Sequence, residues 1–239
     1  EIKKYINSLY VILPFEKEFF ESKHNYPVKF LGHPLADSIY NFKTNNISSN
    51  KLITTDKKPI IAILPGSRKQ EIKKILNTVI ETVECFKEYQ FIVAGAPNIE
   101  LSYYTSIIKN KKIKVIENKT YELLSVSYAA IVTSGTATLE TALFKVPQVV
   151  CYKSSYFSFV IAKLIVNIKY ISLVNLIMDQ EIVKELIQQD CNKNKITKEL
   201  KKILDLNHRK SLKVKYDELA SILGNFGTSK RVALDIITK

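Results

Sequence analysis

The chain has 239 residues, 36 basic side chains against 23 acidic ones, 46% apolar residues and 3 cysteines. That is an ordinary globular composition, long enough to bury a core, and it excludes a disordered acidic tail, a collagen-like repeat and a disulfide-stapled miniprotein. Cys85, Cys151 and Cys191 lie far apart with no CxxC pair, which fits three reduced thiols in a cytoplasmic protein and argues against a zinc knuckle. The net charge of +13 admits a nucleic acid, an anionic membrane surface or a phosphate-bearing substrate as partner. A plain Lys-, Ile- and Asn-rich composition would give the same charge.

Glu1 is not an initiator methionine, and the opening EIKKYINSLYVILPF carries no signal-peptide cleavage pattern. The chain is therefore expected to be a piece of something longer, or trimmed at its start. Residues 10–13 and 28–31 read as strands on either side of a short helix at 16–23, and the second strand ends in Gly32, His33 and Pro34. His33, at that strand-end turn, is a minor site candidate, whereas His24 and His208 read as surface residues. Residues 41–58, rich in Asn, Ser, Thr and Lys, read as a surface linker.

From residue 60 onward the rhythm is strand, helix, strand, helix. The run 60–64 is short, continuous and apolar, and stops at Pro65-Gly66, as suits a strand buried on both faces. Ile72, Ile75, Leu76, Val79, Ile80, Val83 and Phe86 then recur at steps of three and four, which is one apolar helix face. Further strands are expected at 91–94, 113–116, 129–133 and 148–152, with helices near 120–127 and 136–145. The last third reads as helical: 197–206, 208–223, a break at Gly224 to Gly227, and a final helix from Ser229. This alternation predicts an α/β fold, a parallel sheet with right-handed crossovers and helices on both faces. Ligands of such sheets bind at the carboxyl ends of the strands, so the loops at Pro65, Gly95, Thr133 and Tyr152 are where chemistry is sought.

Two of those loops have anion-binding character. In the first, Gly66 permits close backbone approach, Ser67 and Arg68 offer donors, and a long helix begins at once. A plain turn capped by Ser67 is the bland alternative. The second loop, Ser134-Gly135-Thr136, also opens a helix, and Glu140 falls one turn later, where a carboxylate can accept from a ribose diol. Ser134 or Thr136 as a mere cap is the alternative there. Two such cradles on one sheet favour a nucleotide site. Neither GxGxxG nor GxxxxGK[ST] is present, no Asp-x-Asp pair offers to hold a metal, and no GxSxG, HExxH or Ser/His/Asp grouping is visible. Asn175 sits alone in the apolar run SLVNLI, as a buried network member or as a ligand contact.

The stretch 157–178 is apolar but interrupted by Lys163, Asn167 and Lys169, so a spanning helix is not expected. Within it Phe157, Val160, Ile161, Leu164, Ile165 and Ile168 follow helical spacing. The plain reading is a core-packing helix with solvated lysines. The sharper one is a surface helix, with Lys153, Phe157, Lys163 and Lys169 as candidates for meeting acyl chains and anionic headgroups. A nucleic-acid module is disfavoured, since the aromatic residues are spread through apolar strands without an RNP-like motif.

In order and spacing, LPFEKEFF (13–20), FLGHPLAD (30–37), ILPGSRKQEI (63–72), TSGTATLETAL (133–143), PQVVCYK (147–153) and YISLVNLIMDQEIVKELIQ (170–188) resemble the lipid-A-disaccharide synthase family. The resemblance implies a GT-B fold of two Rossmann-like domains. It also implies inverting, metal-independent transfer of 2,3-diacylglucosamine from its UDP-linked form to 2,3-diacylglucosamine 1-phosphate, with release of UDP and no cofactor. On that pattern Gly66, Ser67, Arg68, Ser134, Gly135 and Thr136 would hold the diphosphate, Glu140 the ribose, and Asn175 the nucleotide region. Residues 1–40 would close the N-terminal acceptor domain, 41–58 would be the linker, and 59–223 the donor-binding domain. Residues 224–239 would form a C-terminal helix packing back towards the N-terminal domain. The rest of that domain, with the expected general base, is missing, so no catalytic base is assigned; UDP binding without turnover is expected of this chain alone. The implied setting is cytoplasmic, at the surface of the inner membrane, with no nucleic-acid partner. Another UDP-sugar GT-B enzyme, a 2-epimerase or a lipid-linked glycosyltransferase, is the alternative.

Overall fold

The computed structural model describes residues 1–45, 53, 56–109, 112–153 and 169–238. Its N-terminal segment runs α1 (Ile2–Tyr5), β1 (Tyr10–Val11), α2 (Pro14–Glu18), a π-helical turn (Phe19–Lys23), β2 (Lys29–Phe30) and α3 (Leu35–Asn45). β1 and β2 pair in parallel over two residues each, shorter than the four-residue strands expected. The cause is local. Pro14 opens α2, and the Glu16 carboxylate accepts from the Ile12 and Leu13 N–H groups at 3.1 and 2.9 Å, so the chain leaves the strand after Val11.

The larger part is a six-stranded sheet of β3 (Ile60–Leu64), β4 (Gln90–Gly95), β5 (Ile113–Glu117), β6 (Ser127–Thr133), β7 (Gln148–Tyr152) and β8 (Lys184–Ile187). Their spatial order is β5-β4-β3-β6-β7-β8, and every neighbouring pair is parallel. Between them run α4 (Lys69–Val83), α5 (Leu101–Ile107), α6 (Thr120–Val126), α7 (Thr136–Leu143) and α8 (Leu173–Met178). After β8 come α9 (Lys193–Leu204), α10 (Leu206–Leu223) and α11 (Thr228–Ile237). This is the doubly wound dinucleotide-fold order, with its switch point between β3 and β6.

Alternate residues of each central strand enter opposite layers. Ile61, Ile63, Phe91, Val93, Ala129 and Ile131 pack with Ile72, Ile75 and Val79 of α4 and Ile196 and Leu200 of α9. Ile60, Ala62, Leu64, Ile92, Ala130 and Val132 pack with Leu123 and Leu124 of α6. Burial on both faces is why these strands read as unbroken apolar runs.

Other elements also depart from the sequence reading, helices α1 and α8 among them. β8 was not expected in the helical last third; its Lys-Glu-Leu-Ile buries only Leu186 deeply, a pattern that four residues of edge strand share with a helix turn. α5 was also unmarked, because Tyr104 is its one buried residue. α3 continues through Asn45, five residues beyond the expected boundary at 40, because Phe42 packs edge-on against Tyr121 and Phe144, with centroids at 5.5 and 5.7 Å. Within the expected linker, Ile53 is buried and its carbonyl accepts from Lys114 Nζ at 2.8 Å. Residues 46–52, 54 and 55 lie outside the described residues.

The two ends of the chain are tied together. Asp37 Oδ1 accepts from the Gly227 and Thr228 N–H groups at 2.6 and 3.1 Å, and Oδ2 from Ser229 N–H at 2.8 Å, so the start of α11 is capped by a carboxylate 190 residues away. Asp235 farther along α11 accepts from Lys29 Nζ at 2.7 Å and from Tyr10 Oη at 2.5 Å. Arg231 donates to the carbonyls of Leu31, Asn225 and Phe226. Partial desolvation raises the Asp37 pKa, but the bonds from 227–229 outweigh it and hold the carboxyl below its usual range.

A depressed folded-state pKa adds stability that is present above the unfolded value and is lost as pH falls through the folded one. Asp37→Ala should therefore cost about 1–3 kcal/mol at neutral pH. The deficit relative to wild type should shrink below about pH 4. Urea titrations across pH 2.5–7.5 check both, and a deficit that is flat with pH would refute the capping account.

Candidate functional site

The carboxyl ends of β3 and β6 lie side by side, and each chain reverses there through a glycine. Gly66 has φ +100° and Gly135 +138°, backbone states that L side chains rarely adopt. A Cβ at Gly135 would meet nothing within 4 Å, because the turn borders open space, whereas one at Gly66 would press on Glu71 Oε2 at 3.0 Å. Helices α4 and α7 start immediately beyond, and neither has a side-chain cap at its N-cap residue, Arg68 or Gly135. Ser67 therefore does not cap α4 as the bland alternative had it. Both helix starts bring backbone N–H groups and the positive end of a dipole to one place.

That place is a cavity of about 400 Å³, within the range of small-molecule sites. Its walls bring together seven of the expected residues: Gly66, Ser67, Arg68, Ser134, Gly135, Thr136 and Glu140. Gly95 at the end of β4, Ala96 and Pro97 beyond it, Thr120 at the start of α6, and Tyr152 at the end of β7 also line it. Arg68 is 80% exposed and bonds Glu71 at 2.9 Å, so its guanidinium stands at the rim, with part of its donor fork open. The first loop is braced from α5, where Tyr103 Oη donates to the Lys69 carbonyl at 2.8 Å. The second is held by Ser134 Oγ, which donates to the Ile171 carbonyl at 2.7 Å.

Glu140 is half-buried on α7, and Tyr121 Oη donates to its Oε1 at 3.0 Å. Burial raises the Glu140 pKa, with the Tyr121 bond acting against that rise. Burial raises the Tyr121 pKa as well, with further help from Glu140, so the phenol remains a donor. Thr133, at the end of β6 in the cavity lining, has a buried Oγ1 with no hydrogen-bond partner among the described residues. The sequence reading marked Thr133 only as the start of a candidate loop, without a role of its own, and did not single out Tyr121, which lies in the helix expected near 120–127.

Asn175 is not brought to the cavity. It is fully buried; its Nδ2 donates to the Val183 carbonyl and Glu185 Oε1, and its Oδ1 accepts from the Ile182 and Val183 N–H groups. Of the two roles left open for it, the geometry gives the network member. That network has a site-directed end, for Glu185 also accepts from the Ile171 and Ser172 N–H groups, and Ile171 holds Ser134. His33 is likewise buried away from the cavity, with Nδ1 accepting from Leu35 N–H at 3.1 Å. Lys153 turns inward and donates to Thr78 Oγ1 at 2.8 Å, which removes it from the surface candidates. Lys169 is exposed, over the Tyr170 ring. Phe157 and Lys163 lie outside the described residues. No disulfide joins the cysteines: Cys151 and Cys191 are buried and Cys85 is exposed, all as free thiols. No group of three His, Cys, Asp or Glu side chains gathers as a metal set among the described residues.

A parallel sheet in this order, with a cavity at the switch point, defines the class, and solved structures place it. The chain matches a UDP-GlcNAc 2-epimerase from Neisseria meningitidis bound to UDP-GlcNAc, with TM-score 0.62 at 15% identity, over 96% of this chain and 61% of that one. It also matches the calicheamicin glycosyltransferase CalG4, with TM-score 0.60 at 12% identity, over 99% of this chain and 55% of that one. The fold is that of the GT-B glycosyltransferases and UDP-GlcNAc 2-epimerases. Within that class, the profile for lipid-A-disaccharide synthetase matches residues 1–234. The Lipid-A-disaccharide synthase of Coxiella burnetii (strain Dugway 5J108-111) is 34% identical over 98% of this chain. The chain belongs to the lipid-A-disaccharide synthetase family. It spans 63% of the length of that relative.

Because the folded state holds the Glu140 proton more tightly than the unfolded chain does, ionising Glu140 costs the ligand-free protein stability. That cost is absent below the unfolded value of about 4.3 and complete above the raised folded one. Glu140→Gln should therefore raise the urea midpoint of the ligand-free chain at pH 7.5, and the gain should fade towards pH 4. A gain independent of pH would contradict this.

Proposed function

We propose that the cavity between β3 and β6 binds the UDP moiety of an acylated UDP-sugar. In this reading the chain supplies the donor site for transfer of 2,3-diacylglucosamine from UDP-2,3-diacylglucosamine to 2,3-diacylglucosamine 1-phosphate. The observation that carries the reading is the convergence of two helix starts, neither capped by a side chain, on one cavity with Glu140 a single turn inside it. The diphosphate lies against the turns 66–68 and 134–136, with Arg68 at the rim and the Thr133 hydroxyl as a further donor. Glu140 accepts from the ribose diol.

The chemistry follows from charge. Cleaving the anomeric C–O bond leaves UDP with additional negative charge on its diphosphate, which two helix dipoles directed at the cavity stabilise without reorganisation, with the Arg68 guanidinium at the rim as a further cation. The other requirement is a base for the attacking hydroxyl. Glu71 and Glu140 are the carboxylates among the described lining residues, and they bond Arg68 and Tyr121. Neither is assigned that task. Contact with a membrane surface belongs to the same proposal, since the sugars of both substrates carry acyl chains; of the expected surface lysines, Lys169 is exposed, in a pair with Asp179 at 3.5 Å. No helix among the described residues is long and apolar enough to cross a membrane.

Isothermal titration of UDP into the chain tests the reading. Binding is expected between micromolar and millimolar, roughly −8 to −4 kcal/mol. Glu140→Ala should weaken it about tenfold by removing a charge-assisted bond. Arg68→Ala should weaken it severalfold and flatten its salt dependence. Equal binding by all three proteins would place the nucleotide elsewhere.

A further inference from the structure

Tyr121 has two sets of contacts with different requirements. Its ring meets Phe42 of α3 edge-on at 5.5 Å and Phe144 at 5.2 Å, a three-ring cluster that phenylalanine would fill equally well. Its hydroxyl, part-buried beside that cluster, donates to Glu140 Oε1. Packing accounts for the ring and leaves the oxygen unexplained.

We propose that Tyr121 is a positioning residue for the nucleotide: by donating to Oε1 it orients the Glu140 carboxylate and leaves Oε2 to accept from the ribose diol. This rests on the reading of the cavity as a UDP site. A free glutamate side chain samples several rotamers, and fixing one of its oxygens from a clamped ring removes that freedom before the ligand arrives. The clamp includes Phe42, so helix α3 from the N-terminal segment supports a residue of the nucleotide pocket.

The bond also acts on ionisation, because a donor to the charged carboxylate opposes the effect of burial. Other charged or titratable groups surround this corner. Arg68 and Glu71 on the β3–α4 side bond each other, and Tyr152 stands at the end of β7. Lys43 of α3 donates to the Leu143 carbonyl and lies over the Phe144 ring, and Lys145 beyond α7 bonds Asp217. None of these reaches Glu140 with a hydrogen bond in the structure, whereas Tyr121 does.

Tyr121→Phe keeps the ring cluster and removes the donor. Carboxyl-carbon NMR of the whole chain, with Glu140→Gln to assign the signal, should show the Glu140 midpoint moved up in Tyr121→Phe by about half a pH unit or more. UDP titrations from pH 5 to 8.5 should show the acid limb of affinity displaced upward to match, with severalfold weaker binding remaining at pH 8.5. UDP's own second phosphate ionisation, near pH 6, is common to both proteins and cancels in the comparison. In Glu140→Gln the protein's part of that limb should vanish.

An unmoved Glu140 midpoint in Tyr121→Phe overturns the proposal, whatever UDP does. A moved midpoint with superimposable UDP profiles overturns it too, because the bond would then not serve the nucleotide. A moved midpoint with no UDP bound by either protein at any pH overturns the UDP reading, and with it the nucleotide role of Tyr121, while the bond to Glu140 stands.

Discussion

The candidate site depends on β3 and β6 lying side by side and pointing the same way. Parallel neighbours deliver both carboxyl ends to one edge of the sheet, and their following helices, α4 and α7, must diverge to cover it. A crevice therefore opens between two turns whose backbone donors face the same volume. A strand order that did not make β3 and β6 neighbours would separate Gly66 from Gly135, and each would sit in an ordinary turn.

Electrostatics then set the character of that crevice. Helix dipoles and Arg68 make it attractive to anions, yet a half-buried carboxylate is kept within it, against the local interest of stability. A residue that costs the empty protein stability is one that a purely structural helix would lose, which is consistent with a place in a binding site. The hydroxyl of Tyr121 reduces that cost. Its ring ties the same corner to α3, so the N-terminal segment and the helices α6 and α7 share one packed cluster.

The second tie between the parts is polar. Asp37 caps α11 across 190 positions of sequence, and Asp235 returns the contact to Lys29 and Tyr10. β1 and β2 pair only with each other, so the segment meets the rest of the chain through these polar bonds, the backbone bond from His33 N–H to the Leu223 carbonyl and the Phe42 ring cluster.

The βαβ rhythm, the central strands, the two glycine turns that open helices at the cavity and Glu140 were all legible in the sequence. Each is specified locally, by a continuous apolar run, by glycine where φ must be positive, or by a carboxylate one turn into a helix. The family was legible too, in motifs whose order and spacing survive at about one residue in three. Strand order, which joins two separate turns into one site, was decided only by the tertiary structure. So were the inward turn of Lys153 to Thr78, the enclosure of Asn175 by 182–185, and the reach of Tyr121 to Glu140 across 19 residues. The edge strand β8 and the end of α3 also escaped the sequence, because their residues take their state from neighbours and not from their own period. Local chemistry writes turns and faces into a sequence, whereas the partner of a buried polar group is set by packing between elements distant in the chain, and no spacing along one element encodes it.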